Sequence, residues 1–242
     1  MKKIMSTAII AVITIFSLNA QISFGVKTGL NLSSINGGFT GEKYESTFSR
    51  KGYSSILIGV VSEFKISEKF AFQGELLYSQ QGNKFEMNQS SPGWDAIIFE
   101  QEIKSNYINI PLIAKYYIKE GFSLEAGPQI GFLLSSKSNW TENWFDEYNP
   151  DFYSGSGDIK DYKSSIDYGL NFGLGYKLDN GLNFGIRYYL GLANINNSDS
   201  LNNSYSYADE NLYSSYEVDS ENPSFSNQKN RVFQITVGYF IN

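Results

Sequence analysis

From residue 166 to 192 the chain alternates bulky apolar residues with small or polar ones. Ile166, Tyr168, Leu170, Phe172, Leu174, Tyr176 and Leu178 take every second position, and Asp167, Gly169, Asn171, Gly173, Gly175 and Lys177 fill the gaps. After Asp179-Asn180-Gly181 the alternation resumes with Leu182, Phe184, Ile186, Tyr188, Leu190 and Leu192. A period of two belongs to a β-strand with two unlike faces. A helix would spread these apolar residues over its whole circumference and would carry several glycines at about 1 kcal/mol each. The stretch therefore predicts two strands joined by a tight turn.

The same alternation marks six further strands, over residues 22–32, 56–66, 70–78, 108–118, 122–134 and 233–241. The connections fall into two kinds. Ser67-Glu68-Lys69, Lys119-Glu120-Gly121 and Asp179-Asn180-Gly181 are minimal, whereas residues 34–52, 82–104, 136–163 and 194–229 are long and polar. Short and long connections alternate, so antiparallel strands place all short turns and both termini at one end. The reading is an all-β, eight-stranded antiparallel up-and-down transmembrane β-barrel with four long outer loops and three short periplasmic turns. The rows fix the turns at three residues, a type that favours glycine in the last place. Gly121 and Gly181 meet that preference and Lys69 does not. Pro111 and Pro128 fall inside strands, where each removes a ladder donor and predicts a local bulge. Ser62 and Gly74 interrupt the apolar rows and should lie side by side as a small notch.

An eight-stranded barrel has an interior only just wide enough for side chains. Rows of Phe, Tyr, Leu and Ile would crowd it, so the bulky row is expected to face lipid and the small polar row to face inward. That choice points Lys27, Glu63, Glu75, Lys115, Glu125, Asp167 and Arg187 into the barrel as a belt of opposed charges, with Lys115 directly opposite Glu125 as an ion pair. Lys65 and Lys177 also point inward, nearest the periplasmic mouth, where solvation competes with pairing. A near-balanced belt closes a narrow barrel, because unpaired charge at low dielectric is costly.

The N-terminus reads differently. Lys2 and Lys3 precede an apolar run to Leu18, and Asn19-Ala20 supplies a small residue at a cleavage point before Gln21. This is the layout of a secretory signal peptide over residues 1–20, leaving residues 21–242 as one barrel domain. Composition agrees with alternating faces: aromatics make up 16% of the chain although its mean hydropathy is −0.29. The chain has no cysteine and no histidine, which removes disulfides, thiolate chemistry and the commonest general base and metal ligand. A net charge of −6 without a basic run argues against nucleic acid as a partner. No enzyme activity and no cofactor are expected.

Specificity is expected in the long loops, where acidic and aromatic residues interleave. Trp140, Trp144, Tyr148, Tyr205, Tyr207 and Tyr213 are the candidate contact residues, since such side chains give large contact area at low entropic cost. Acidic groups there lack the spacing of an EF-hand calcium loop.

Four segments carry a family resemblance: Asn19-Ala20-Gln21, Phe24-Gly25-Val26-Lys27-Thr28-Gly29-Leu30-Asn31, Ile108-Asn109-Ile110-Pro111-Leu112 and Ala126-Gly127-Pro128-Gln129-Ile130-Gly131. Together they resemble the PorT-like outer-membrane β-barrel family of the Bacteroidota, whose members are also described as a porin family. The resemblance implies an outer-membrane barrel reached by export through the inner membrane, and the family's name comes from a member needed for protein secretion. The chain ends in Asn242 where barrel assembly signals usually end in an aromatic, with Phe240 as the nearest substitute. The expected function is a non-enzymatic outer-membrane barrel, structural or surface-binding through its loops; a narrow porin-like diffusion channel and a secretion-system component are the alternatives. Expected partners are outer-membrane lipid and the assembly machinery, with an extracellular ligand or secretion-system proteins as further candidates.

Overall fold

The computed structural model describes residues 21–37, 48–89, 96–145, 151–197 and 227–241. Nine strands form one antiparallel sheet: β1 (Gln21–Asn36), β2 (Phe48–Lys65), β3 (Phe70–Gln89), β4 (Ala96–Lys119), β5 (Phe122–Phe145), β6 (Asp151–Asp158), β7 (Ile166–Lys177), β8 (Leu182–Gly191) and β9 (Lys229–Ile241). Eight of them close into a ring, because β1 pairs with both β2 and β9 while β5 pairs with both β4 and β7. Closure leaves no unpaired sheet edge at membrane depth, as lipid requires. The ninth strand, β6, continues along β5 above the point where β7 ends.

The rows predicted from the sequence face as expected. Phe24, Ile58, Phe72, Leu112, Leu124, Phe172, Ile186 and Ile235 are all exposed on the outside of the ring. At the periplasmic end, Gly121 and Gly181 adopt φ of +75° and +91°. This is the left-handed region that glycine enters without a Cβ penalty. The turn lacking glycine uses another device: the Phe70 backbone N–H donates to Ser67 Oγ at 3.1 Å.

Three expectations are corrected. Residues 82–104 and 136–163 are largely strand, because β3, β4 and β5 run on past the apolar band and, with β6 and the start of β2, form a sheet that projects outward. The outward face turns polar there while Phe85, Ile103 and Tyr107 share the inward face with Gln81, Asn83 and Ser105, so the apolar row changes sides and is interrupted, which masks the extension. The prolines make no bulge: the register is unchanged across them, and only the pairs of the proline and one neighbour are missing, those of Pro111 and Ile110 toward β3 and those of Pro128 and Gly127 toward β4. The shifts in the β4–β5 ladder occur instead at Asn106/Tyr107 and Tyr117/Lys119. Finally, the interior is not uniformly small and polar. Leu57, Val61, Leu77, Ile113 and Val232 point inward and are buried. Ser62 and Gly74 are direct cross-strand partners, as the hairpin register requires.

Candidate functional site

Six of the seven inward charges singled out from the sequence come together, and they do so as a chain in which signs alternate. Lys27 Nζ donates to Glu75 Oε1 at 2.6 Å. Arg187 grips both oxygens of Glu75 at 2.9 Å and extends Nη2 to Glu125 Oε2, also at 2.9 Å. Lys115 Nζ lies 3.3 Å from Glu125 Oε1 and donates to Glu63 Oε2 at 2.9 Å. Glu63 also accepts Lys177 Nζ at 3.0 Å and the Tyr117 hydroxyl at 2.9 Å. Gln73 braces the middle, accepting Lys115 Nζ at 3.1 Å and donating to Glu75 Oε1.

The chain of contacts takes one charge from each of β1, β3, β8, β5, β4, β2 and β7. The remaining ring strand, β9, contributes Phe240, whose ring lies 4.2 Å from Lys177 Nζ. Phe240 thus faces the interior, while Tyr239 and Ile241 face lipid. Every carboxylate bridges two cations, so the low dielectric of the interior strengthens the attraction, and no carboxylate in the belt is left unpaired. Gly175 sits under this arrangement: a Cβ there would run into Glu125 Oε1. The side chain is absent because the carboxylate occupies its place.

Asp167 does not join the belt. It lies ten residues before Lys177 on β7, about 33 Å along the strand, and accepts Asn230 Nδ2 at 2.9 Å near the outer end. Parity on the strand was enough to point it inward; height had to be counted strand by strand. Lys65 is exposed at the periplasmic mouth, whereas Lys177 is drawn into the network. Tyr117, Gln73 and Phe240 were missed as belt members. Tyr117 shares the parity of Lys115 and Phe240 that of Gly238, so their inward direction was legible, but aromatics were assigned to lipid.

The belt and the layers above it exclude water. Lys115 is 1% exposed, Leu57 and Val232 are 0%, and Leu77 is 1%. Interleaved with these apolar side chains, Asn31 Nδ2 donates to Ser79 Oγ and Gln234 Nε2 to Asn31 Oδ1, both at 3.0 Å. A cavity of about 490 Å³ lies below the belt at the periplasmic mouth, bordered by Glu63, Lys65, Tyr117 and Lys177.

A second cleft, of about 220 Å³, lies in the outer sheet beside Phe85, Gln101, Glu102 and Trp140. Of the candidate loop residues, Trp140 is on β5 opposite Gly155 of β6. Trp144 lies on β5 opposite Asp151, its side chain outside the described residues. Tyr148, Tyr205, Tyr207 and Tyr213 also lie outside the described residues. On this sheet, Glu102 bridges Lys84 at 2.8 Å and Lys104 at 2.7 Å, and those hydrogen bonds, from Lys104 first and then Lys84, hold its carboxyl below the usual range. Lys51 pairs with Glu86 at 2.6 Å.

A family model described as the outer membrane protein beta-barrel domain matches residues 17–197. Among solved structures, the chain is similar to Ail, the attachment invasion locus protein of Yersinia pestis, at 10% identity, a TM-score of 0.39 and coverage of 90% of this chain and 98% of that one. Neisserial surface protein A is similar at 9% identity, a TM-score of 0.40 and coverage of 90% and 98%. The outer membrane protein OprG of Pseudomonas aeruginosa is similar at 15% identity, a TM-score of 0.38 and coverage of 91% and 96%. A search of curated protein sequences returned no match.

Proposed function

Since the chain belongs to the outer membrane protein beta-barrel domain family, we propose that it is a sealed, non-enzymatic outer-membrane barrel whose outer sheet and loops form a binding surface. The dry interior carries this reading. A diffusion channel needs a continuous wetted path, and here the side chains at mid-barrel, charged ones included, are shut off from water. Ion pairs that satisfy one another act as struts between strands, and each of the four cations is held by a carboxylate. The outer face is where chemistry remains available, because Trp140, Phe85 and Gln101 border a cleft above the apolar band. Aromatic and amide groups of that kind suit a sugar or an extended polypeptide.

The absence of histidine and cysteine supports a non-enzymatic role. Within the family, the segments around Phe24, Ile108 and Ala126 support PorT-like kinship and an origin in the Bacteroidota, and residues 1–20 support export by a cleaved signal peptide. The test is a pair of measurements on the refolded full chain. Vesicles carrying it should not swell in an arabinose gradient; swelling would favour the channel. Purified barrel should bind members of a glycan array through the outer sheet, with the signal lost in Trp140→Ala and in a variant lacking residues 198–226. Binding indifferent to both changes would remove the surface-binding role.

A further inference from the structure

The outer wall of β2 to β5 carries a sequence of rows that changes character over a short height. The last apolar row to span all three strands is Tyr78, Ile108 and Phe132, which are direct partners across β3, β4 and β5, with the exposed Leu134 extending it on β5. Two residues higher on β3 and β4, and three higher on β5, lies an amide row on the same outward face. Tyr53 OH donates to Gln80 Oε1 at 3.4 Å, Gln80 Nε2 to Asn106 Oδ1 at 3.2 Å and Asn106 Nδ2 to Ser135 Oγ at 2.9 Å. Two residues higher again, Lys104 and Lys137 stand directly opposite each other. Above them, Lys84 is opposed to Glu102, and the next row places Glu86 opposite Glu100, below Asn88 opposite Ile98. The wall is therefore basic nearest the apolar band, mixed in the row above, and acidic in the row above that.

Lys104 and Lys137 are the unexplained pair. Like charges directly opposite on neighbouring strands repel. Lys104 is held by Glu102 at 2.7 Å and lies 5.9 Å from the Tyr53 ring. Lys137 has no ion-pair partner among the described residues. Its neighbour across β6, Asp158, turns Oδ1 to the Lys160 backbone N–H at 2.9 Å instead. Lys104 lies four residues, or about 13 Å of strand, above Ile108, and Lys137 lies five above Phe132, the extra residue falling at the Asn106/Tyr107 shift. That is the level of the lipid headgroups, where basic side chains meet phosphate.

We propose that this wall docks the phosphorylated sugar headgroup of an outer-leaflet glycolipid, with a phosphate between Lys104 and Lys137 and sugar hydroxyls on the Gln80–Asn106–Ser135 row. The phosphate relieves the repulsion between the two lysines, and the amides offer the paired donors and acceptors that sugar hydroxyls use. The acidic row keeps the anionic group at the lower level. This surface adjoins the cleft beside Trp140 through Glu102, which borders that cleft and holds Lys104.

The full chain, refolded in detergent, is mixed with bisphosphorylated lipid A, with its phosphate-free counterpart and with phosphatidylglycerol, and bound lipid is counted by native mass spectrometry. Wild-type protein should retain one bisphosphorylated lipid A, and Lys104→Ala/Lys137→Ala should weaken retention about thirtyfold. Lys137→Glu, an exposed single change, should weaken it at least as much as Lys137→Ala. Lys51→Ala/Lys84→Ala, in the row above, should change it less than about threefold. Equal retention by wild type and the Lys104/Lys137 variants overturns the proposal, as does equal retention of phosphate-free lipid A. Phosphatidylglycerol held as tightly as lipid A would overturn the glycolipid assignment by showing that any anionic lipid suffices.

Discussion

Replacing Glu75 by alanine removes the carboxylate that holds Lys27 and Arg187 together at the centre of the barrel. Lys27 loses its one ion-pair partner among the described residues, and Arg187 keeps only Glu125. Both cations are 5% exposed, so water cannot take over the lost contacts. Breaking a buried pair from one side costs about 3–5 kcal/mol. Glu86→Ala provides the comparison, because its partner Lys51 has a side chain 56% exposed and the pair is worth less than about 1 kcal/mol. The triple change Lys27→Met, Glu75→Leu, Arg187→Met removes two positive charges and one negative, leaving Lys115 and Lys177 against Glu125 and Glu63. It should recover most of the loss, since well-packed apolar groups replace buried ion pairs at little or no cost. Urea titration of the full chain folding into phospholipid vesicles, followed by tryptophan fluorescence and by the gel mobility of the folded barrel, measures all three. A Glu75→Ala loss no larger than that of Glu86→Ala would mean that the belt is wet, and the sealed interior would fall with it.

The same titration checks two further expectations, and hydrogen exchange checks a third. Gly175→Val drives a side chain into Glu125 and should cost about 2–3 kcal/mol, with Glu125→Ala recovering part of it in the double variant. Ile235→Arg, at an exposed position on the lipid face of β9, should cost about 2–4 kcal/mol in vesicles, and a neutral result would contradict the outward placement of its row. Burial lowers the Lys163 amine to about 8, and this group lies outside the spanning strands with Nζ donating to Asn196 Oδ1 at 2.8 Å. The unfolded chain then holds more protons between about pH 8 and 10.5. The segment should therefore gain stability, about 3 kcal/mol at most, as pH rises through that window. Lys163→Met should abolish this rise in hydrogen exchange of residues 160–165, and a pH-independent wild type would refute the assignment.

The membrane-spanning half of the fold was legible because one face of each strand is greasy and the other is not. That contrast set the eight strands, the three turns and the register that puts Lys115 opposite Glu125. Beyond Tyr78 and Ile108 the outward face becomes polar and the inward face mixes Phe85, Ile103 and Tyr107 with Gln81, Asn83 and Ser105, so the contrast weakens and β6 and the upper halves of β3, β4 and β5 could not be told from loop. The belt was legible in direction but not in height. Glu75, Glu125 and Arg187 meet because their strands are staggered to close the ring, and that stagger also carries Asp167 out of reach. The inward Leu57, Leu77 and Val232 follow from parity alone, since each shares its strand face with buried polar residues such as Ser55, Ser79 and Gln234.

The central claim is that the barrel is closed to water by its own side chains. Current across a planar bilayer containing the purified full chain tests this most directly. The account predicts a baseline indistinguishable from lipid alone for the wild type. Reproducible, sustained conductance steps from folded wild-type protein would contradict it.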